Sequence, residues 1–161
     1  MAFVKSVIVP NLGAGAHLAL WAFRAGAVGH LECCALVKAF DRTMGEEAGP
    51  ALAAVCRLVR VVGRDGGRVI RLAHPGCCRV TADELSLVAA LAAAQSGDRA
   101  RRDAHVSWLT CGRAEDAARC AADDVAAAFD AAAMIIAAPQ VEISPLASTR
   151  CFTVHQSVDH G

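Results

Sequence analysis

Hydrophobic residues in this chain recur mostly every three or four positions, which is the spacing of one face of a helix. The pattern predicts helices over residues 14–28, 30–43, 50–62, 81–96, 99–110 and 114–138. The clearest helix start is Thr81-Ala82-Asp83-Glu84, because a threonine cap with a glutamate three residues later forms a capping box. We therefore expect a mainly α fold, a compact bundle of about six helices.

Both ends of the chain depart from the helical pattern. Residues 3–9 are short, β-branched and closed by Pro10, which predicts a strand or an extended arm. Residues 140–161 switch to β-branched and polar side chains, so we expect an extended segment that pairs with this arm. The predicted organisation is a helical domain with its N-terminal arm at 1–138 and a tail at 139–161. Residues 68–73 fit either a strand or irregular structure.

The composition supports one globular domain. The chain has 161 residues, of which 55% are hydrophobic and 20% are charged, so it does not resemble a disordered segment. Sixteen basic and sixteen acidic residues cancel, and no nucleic-acid or membrane partner is expected from the overall charge. The longest uncharged run, residues 6–23, contains a proline, two glycines and a histidine, which disfavours a membrane span.

The N-terminus also makes a poor signal peptide. Pro10, Asn11, His17 and Arg24 interrupt the apolar stretch that such a peptide needs before its cleavage point. The eight cysteines are then expected to be reduced thiols rather than a disulfide framework. We expect the protein to be cytoplasmic.

Several segments occur in an order that resembles a known family. They are residues 18–45, 51–61, the Cys77-Cys78 pair followed by the capping box, and residues 125–129. This order is similar to a family of uncharacterised alphaproteobacterial proteins classed as a domain of unknown function. The chain differs in having His74-Pro75-Gly76 before the cysteines and in its C-terminal tail. The resemblance implies no activity, cofactor or partner.

The segment His74-Pro75-Gly76-Cys77-Cys78 carries the most distinctive chemistry. Imidazole and thiolate are good ligands for zinc, iron or copper, so His74, Cys77 and Cys78 are candidate metal ligands. Adjacent cysteines rarely chelate one ion, and further ligands would have to come from elsewhere in the fold. The additional candidates are Cys33, Cys34, Cys56 and Cys111. The alternatives are thiol redox chemistry and a loop whose cysteines only fill space in the bundle.

Arginines dominate the middle of the chain. Arg57, Arg60 and Arg64 fall on one face of the third predicted helix, and Arg68 and Arg71 follow it. The last predicted helix is acidic instead, so the two regions pair within the molecule, pair between molecules, or leave the arginines for an anionic partner.

No nucleophile, phosphate-loop or dinucleotide motif is present, which favours a protein without enzymatic activity. The leading hypothesis is a protein-interaction module or small accessory subunit that binds a protein partner or itself through the arginines and the tail. The alternative is a metal-binding or thiol-redox protein that uses the His-Pro-Gly-Cys-Cys loop.

Overall fold

The computed structural model describes residues 3–140 and confirms a mainly α fold. A strand, β1 (Phe3–Ile8), leads through a short 3-10 turn into the first helix. The helices are α1 (Ala14–Ala27), α2 (Cys34–Met44), α3 (Ala48–Arg60), α4 (Ala82–Ser96), α5 (Arg99–Thr110) and α6 (Glu115–Ala131). A wider turn, Val61–Asp65, continues α3, and a second strand, β2 (Arg79–Thr81), directly precedes α4.

The predicted start of the second helix is wrong by four residues. Residues 30–33 form a turn in which the Cys33 N–H donates to the carbonyl of His30, 3.1 Å away, and α2 begins only at Cys34. This helix still buries Leu36, Phe40 and Met44, which are spaced by four residues.

The last helix is shorter than predicted and ends at Ala131 rather than near 138. The chain turns at Ala133, which has a positive φ of 53°, and continues without regular structure. The Gln95 side chain then bonds both the carbonyl of Met134 and the N–H of Ile136. The carbonyl of Ile135 approaches α1 so closely that a Cβ on Gly15 would lie 2.2 Å from it, so this contact requires glycine.

The two strands form an antiparallel pair that joins the N-terminus to the start of α4. Its register places Phe3 opposite Thr81 and Ile8 opposite Arg79, with an irregularity between them. The predicted partner of the N-terminal arm was the C-terminal tail, but residues 141–161 lie outside the described part of the chain. Residues 68–73 are irregular rather than a strand.

Helix α4 is the centre of the bundle. Every residue from Asp83 to Ala93 is buried, because α5, α6 and α1 pack around this helix. Alanines on α4 and α6 permit this close packing, and α3 covers α6 from the other side. Phe40 and Phe129 meet edge to face with their ring centres 6.3 Å apart, which joins α2 to α6. Within residues 3–140, no helix combines the length and the apolar character that crossing a membrane requires.

The start of α4 has the predicted capping box. The Glu84 N–H donates to Oγ1 of Thr81, and the Thr81 N–H donates to the Glu84 carboxylate. Oγ1 of Thr81 also donates to the carbonyl of Arg71, 2.7 Å away.

We predict that Thr81→Ala lowers the free energy of unfolding by about 1–2 kcal/mol, because it leaves buried backbone groups without a partner. Urea denaturation followed by circular dichroism measures this change. Thr43→Ala is the matched control, since Thr43 is exposed and bonds only within its own helix. An equal loss in both variants would contradict the role assigned to the cap.

Candidate functional site

A buried ion pair lies between α1 and α4. The Arg24 side chain is 2% exposed and that of Glu84 is fully buried. Nε and one terminal nitrogen of Arg24 donate to the two carboxylate oxygens of Glu84, at 2.7 and 2.8 Å. This two-pronged geometry is the strong form of an arginine–carboxylate contact.

The same two side chains bind the backbone of the loop before α4. The remaining donors of Arg24 bond the carbonyls of Cys77 and Arg79 at 2.7 and 2.8 Å, with a longer contact to that of His74. The Glu84 carboxylate accepts from the N–H of Ala73 in addition to its cap contact. The position of the His-Pro-Gly-Cys-Cys segment is therefore set by α1 and α4.

Asp83 binds an earlier part of this loop. It accepts two hydrogen bonds from the Arg68 guanidinium and one from the N–H of Arg71. Burial raises the pKa of the Asp83 carboxyl, but these bonds outweigh it and hold the pKa below its ordinary value. The carboxylate consequently stays ionised, and Arg68 is fixed beside the start of α4.

The predicted metal ligands lie together on the loop without forming a metal-binding cluster. Nδ1 of His74 accepts from the N–H of Gly76 across the turn, at 3.3 Å. Nowhere in residues 3–140 do three or more histidine, cysteine or acidic side chains converge in a way that would hold a metal ion. The other cysteines proposed as ligands therefore do not complete a set with His74, Cys77 and Cys78.

Cys77 and Cys78 do border a cavity of about 400 Å³, which we call the thiol cleft. Cys77 is half-buried and Cys78 is exposed. The opposite wall is provided by α1. The lining consists of Val9, His17, Leu20, Trp21, Arg24, Pro75, Gly76, Cys77 and Cys78.

The five arginines of the predicted stripe have different surroundings. Arg57 pairs with Asp124 on α6 at 3.1 Å, in a half-exposed contact. Arg68 is held by Asp83, and the Arg71 side chain is exposed. Arg60 and Arg64 are exposed, and neither has a carboxylate partner among the residues that the structure describes.

A groove of about 530 Å³ lies beside these two arginines, and we call it the arginine groove. Its lining is mostly apolar and includes three arginines. The apolar lining includes Phe23, Val59, Val62, Ile70 and Leu72, and the arginines are Arg60, Arg64 and Arg68. Three arginines of the stripe seen in the sequence thus border a groove whose apolar part comes from α1, the end of α3 and the residues that follow α3.

An exposed aromatic side chain extends the surface at Arg68. The Arg68 guanidinium lies 5.0 Å from the centre of the Trp108 ring, a cation–π distance, and its Nε donates to the Trp108 carbonyl. Trp108 is 60% exposed, and neighbouring Val69 in the groove is 87% exposed. Trp108 and Val69 thus add exposed apolar surface beside Arg68.

The acidic residues of α6 mostly pair within the molecule. Asp123 binds Arg102, Asp124 binds Arg57, and Glu115 and Asp116 bind Arg119. The pairing of the two charged regions that the sequence suggested is therefore realised at one contact, Arg57–Asp124. Asp123 uses an arginine of α5, and Glu115 and Asp116 use one of α6.

A serine–histidine contact joins α4 to α5. Oγ of Ser86 lies 2.9 Å from Nδ1 of His105. Burial, followed by the positive charge of Arg101, lowers the pKa of His105 below its ordinary value. Neither Ser86 nor His105 is among the described residues that border the thiol cleft or the arginine groove.

No protein-family model, curated protein or solved structure matches this chain. The resemblance to the alphaproteobacterial family therefore stays a prediction, and the candidate sites depend on the geometry alone.

No sequence pattern identifies Arg24 and Glu84 as a pair. In the sequence, Glu84 is explained by the capping box, and Arg24 is an interruption of the apolar N-terminal stretch. The available signal was the position of Arg24, the one charged residue within an otherwise apolar α1. A lone charge on such a helix indicates a buried partner.

We predict that Glu84→Gln lowers the free energy of unfolding by roughly 3–5 kcal/mol, because it leaves the Arg24 charge buried without a counter-ion. Urea denaturation measures the loss. The matched control is Asp124→Asn in the exposed pair, which should cost less than about 1 kcal/mol. The double variant Arg24→Met/Glu84→Met should lose less than the two single changes together. Equal effects at Glu84 and Asp124 would contradict this account.

We predict that His105 makes stability depend on pH. Its folded pKa lies below the unfolded value of about 6.5, so the unfolded chain binds the proton more readily. The free energy of unfolding therefore decreases as the pH falls from about 7.5 through the unfolded pKa of His105 towards its lower folded pKa. The decrease is at most about 1.4 kcal/mol per pH unit. Urea midpoints of the wild type and of His105→Gln between about pH 5 and 8 measure the difference. Parallel pH curves would disprove the contribution.

Proposed function

We propose that this chain is a non-enzymatic protein-interaction module that binds an acidic, partly apolar segment of a partner protein in the arginine groove. The observation that carries the proposal is a groove whose mostly apolar lining also includes Arg60 and Arg64. Neither guanidinium is paired with a carboxylate in residues 3–140. We expect the protein to be in the cytoplasm, with its cysteine thiols reduced.

The side chains that line the groove indicate what kind of partner segment would bind there. A segment that inserts one apolar side chain while presenting neighbouring carboxylates would bury apolar surface and pair both arginines. Arginine suits this role because its planar guanidinium binds a carboxylate through two hydrogen bonds.

The exposed surface beside the groove supports the same proposal. Tryptophan and arginine are enriched among residues that dominate binding energy at protein interfaces. Arg68 is already oriented by Asp83 and by the Trp108 ring, so ordering it on binding costs little conformational entropy. Val69 adds an exposed apolar contact next to it.

A different protein is a better partner than a second copy of this chain. The acidic side chains of α6 would be the natural complement to the groove, but most of them are paired with arginines of the same molecule. Binding a second copy through α6 would require those internal pairs to break. The tail at 139–161 lies almost entirely outside the described residues and takes no part in this argument.

We predict that a fluorescent peptide of alternating leucine and glutamate binds the protein, and that Arg60→Glu/Arg64→Glu weakens it at least about tenfold. Fluorescence anisotropy measures the affinity. Because the contact includes ion pairs, the affinity should also fall as salt is added.

The matched control is Arg42→Glu/Arg99→Glu, which makes the same change in net charge at exposed positions that do not border the groove. A leucine–lysine peptide is the control for the ligand. Equal weakening by both double variants, or equal binding of both peptides, would refute the groove as the site. Dimerisation in sedimentation experiments that is abolished by Arg60→Glu/Arg64→Glu would assign the groove to self-association instead.

A further inference from the structure

The thiol cleft brings two adjacent thiols to one cavity. Cys77 and Cys78 both line it, although neighbouring residues in an extended segment usually point in opposite directions. The chain contains a second adjacent pair, Cys33 and Cys34, at the start of α2. Both members of that pair are exposed, and neither borders the thiol cleft or the arginine groove.

The backbone of the Cys77–Cys78 pair is held at three points. The N–H of Cys77 donates to the His74 carbonyl at 2.8 Å, and its own carbonyl accepts from Arg24 at 2.7 Å. The Cys78 carbonyl accepts from the N–H of Val9 at 2.8 Å. Since Arg24 is itself fixed by Glu84, the two sulfur-bearing residues are presented to the cleft by a preorganised backbone.

The rest of the lining suits a small ligand with an apolar body. The half-buried Trp21 of α1 provides an aromatic surface, and Pro75 adds a rigid apolar contact. Among the described residues that line the cleft, His17 contributes an imidazole. A nitrogen of that ring can accept a proton from a neighbouring donor.

We propose that the thiol cleft is a site of thiol–disulfide exchange that takes low-molecular-weight disulfides with an apolar or aromatic body. Cys78 is the attacking group because it is the more exposed of the two thiols. Its proton passes to His17, and the thiolate attacks one sulfur of the ligand. A bond forms between Cys78 and that sulfur while the S–S bond of the ligand breaks. The second half leaves as a thiolate, so the chain becomes reversibly thiolated and the ligand supplies the oxidising equivalent.

The test compares the two adjacent cysteine pairs in the full-length reduced protein. If the cleft has no effect on reactivity, Cys33 and Cys34 should react fastest. Both are exposed, and both lie at the N-terminus of α2, where the helix dipole stabilises a thiolate. We expect 4,4′-dithiodipyridine at less than one equivalent to modify Cys78 at least about fivefold faster than either Cys33 or Cys34. Peptide mass spectrometry locates the modification, and the absorbance of the released thiopyridone gives the rate.

Iodoacetamide serves as the reference reagent because it lacks an aromatic body, and its preference for Cys78 should be smaller. Cys78→Ser should remove the fast phase, whereas Cys33→Ser/Cys34→Ser should retain it. His17→Gln should slow the fast phase while the slower cysteines are unchanged, which a loss of folding would not produce. Faster reaction at Cys33 or Cys34, the same preference with iodoacetamide, or a fast phase that survives Cys78→Ser would overturn the proposal.

Discussion

The buried ion pair between Arg24 and Glu84 is the contact on which the rest of the structure depends. Burying two charges is costly unless each is paired and its remaining hydrogen-bonding groups are satisfied. Here five contacts run from the Arg24 guanidinium, two to Glu84 and three to carbonyls of the loop before α4. The pair therefore joins α1 to α4 and also fixes a long segment that has little regular structure of its own.

The two neighbouring carboxylates at the start of α4 bind different parts of this loop. Asp83 binds its first part through Arg68 and the backbone of Arg71, whereas Glu84 binds its later part at Ala73 and Thr81. The helix N-terminus favours negative charge at both positions. As a result, one turn of α4 positions the walls of both cavities, since residues 66–70 and 72 border the arginine groove and residues 75–78 border the thiol cleft.

Most of the acidic side chains of α6 form ion pairs within the molecule. Arginines of α5 and α6 neutralise most of the carboxylates on α6, and Arg57 reaches one more from α3. Arg60 and Arg64 stand farther along α3, beside the loop and the exposed Val69. A chain with no net charge thus has a basic, partly apolar groove on one side, which overall composition does not reveal.

The sequence by itself determined the mainly α class, the range of α5 and the capping box at Thr81, because each depends on residues within a few positions of one another. For the N-terminus it left a strand and an extended arm as alternatives. It also singled out Cys77, Cys78 and the arginines in and after α3. Only the tertiary structure decided the partners of these residues. Arg24 and Glu84 are sixty positions apart, and the arginine groove combines Phe23 of α1 with arginines at the end of α3 and after it. The early end of α6 likewise depends on Gln95, whose side chain bonds the segment that follows α6. Helical periodicity specifies which face of a helix is buried, but which distant residue meets that face depends on how the helices pack.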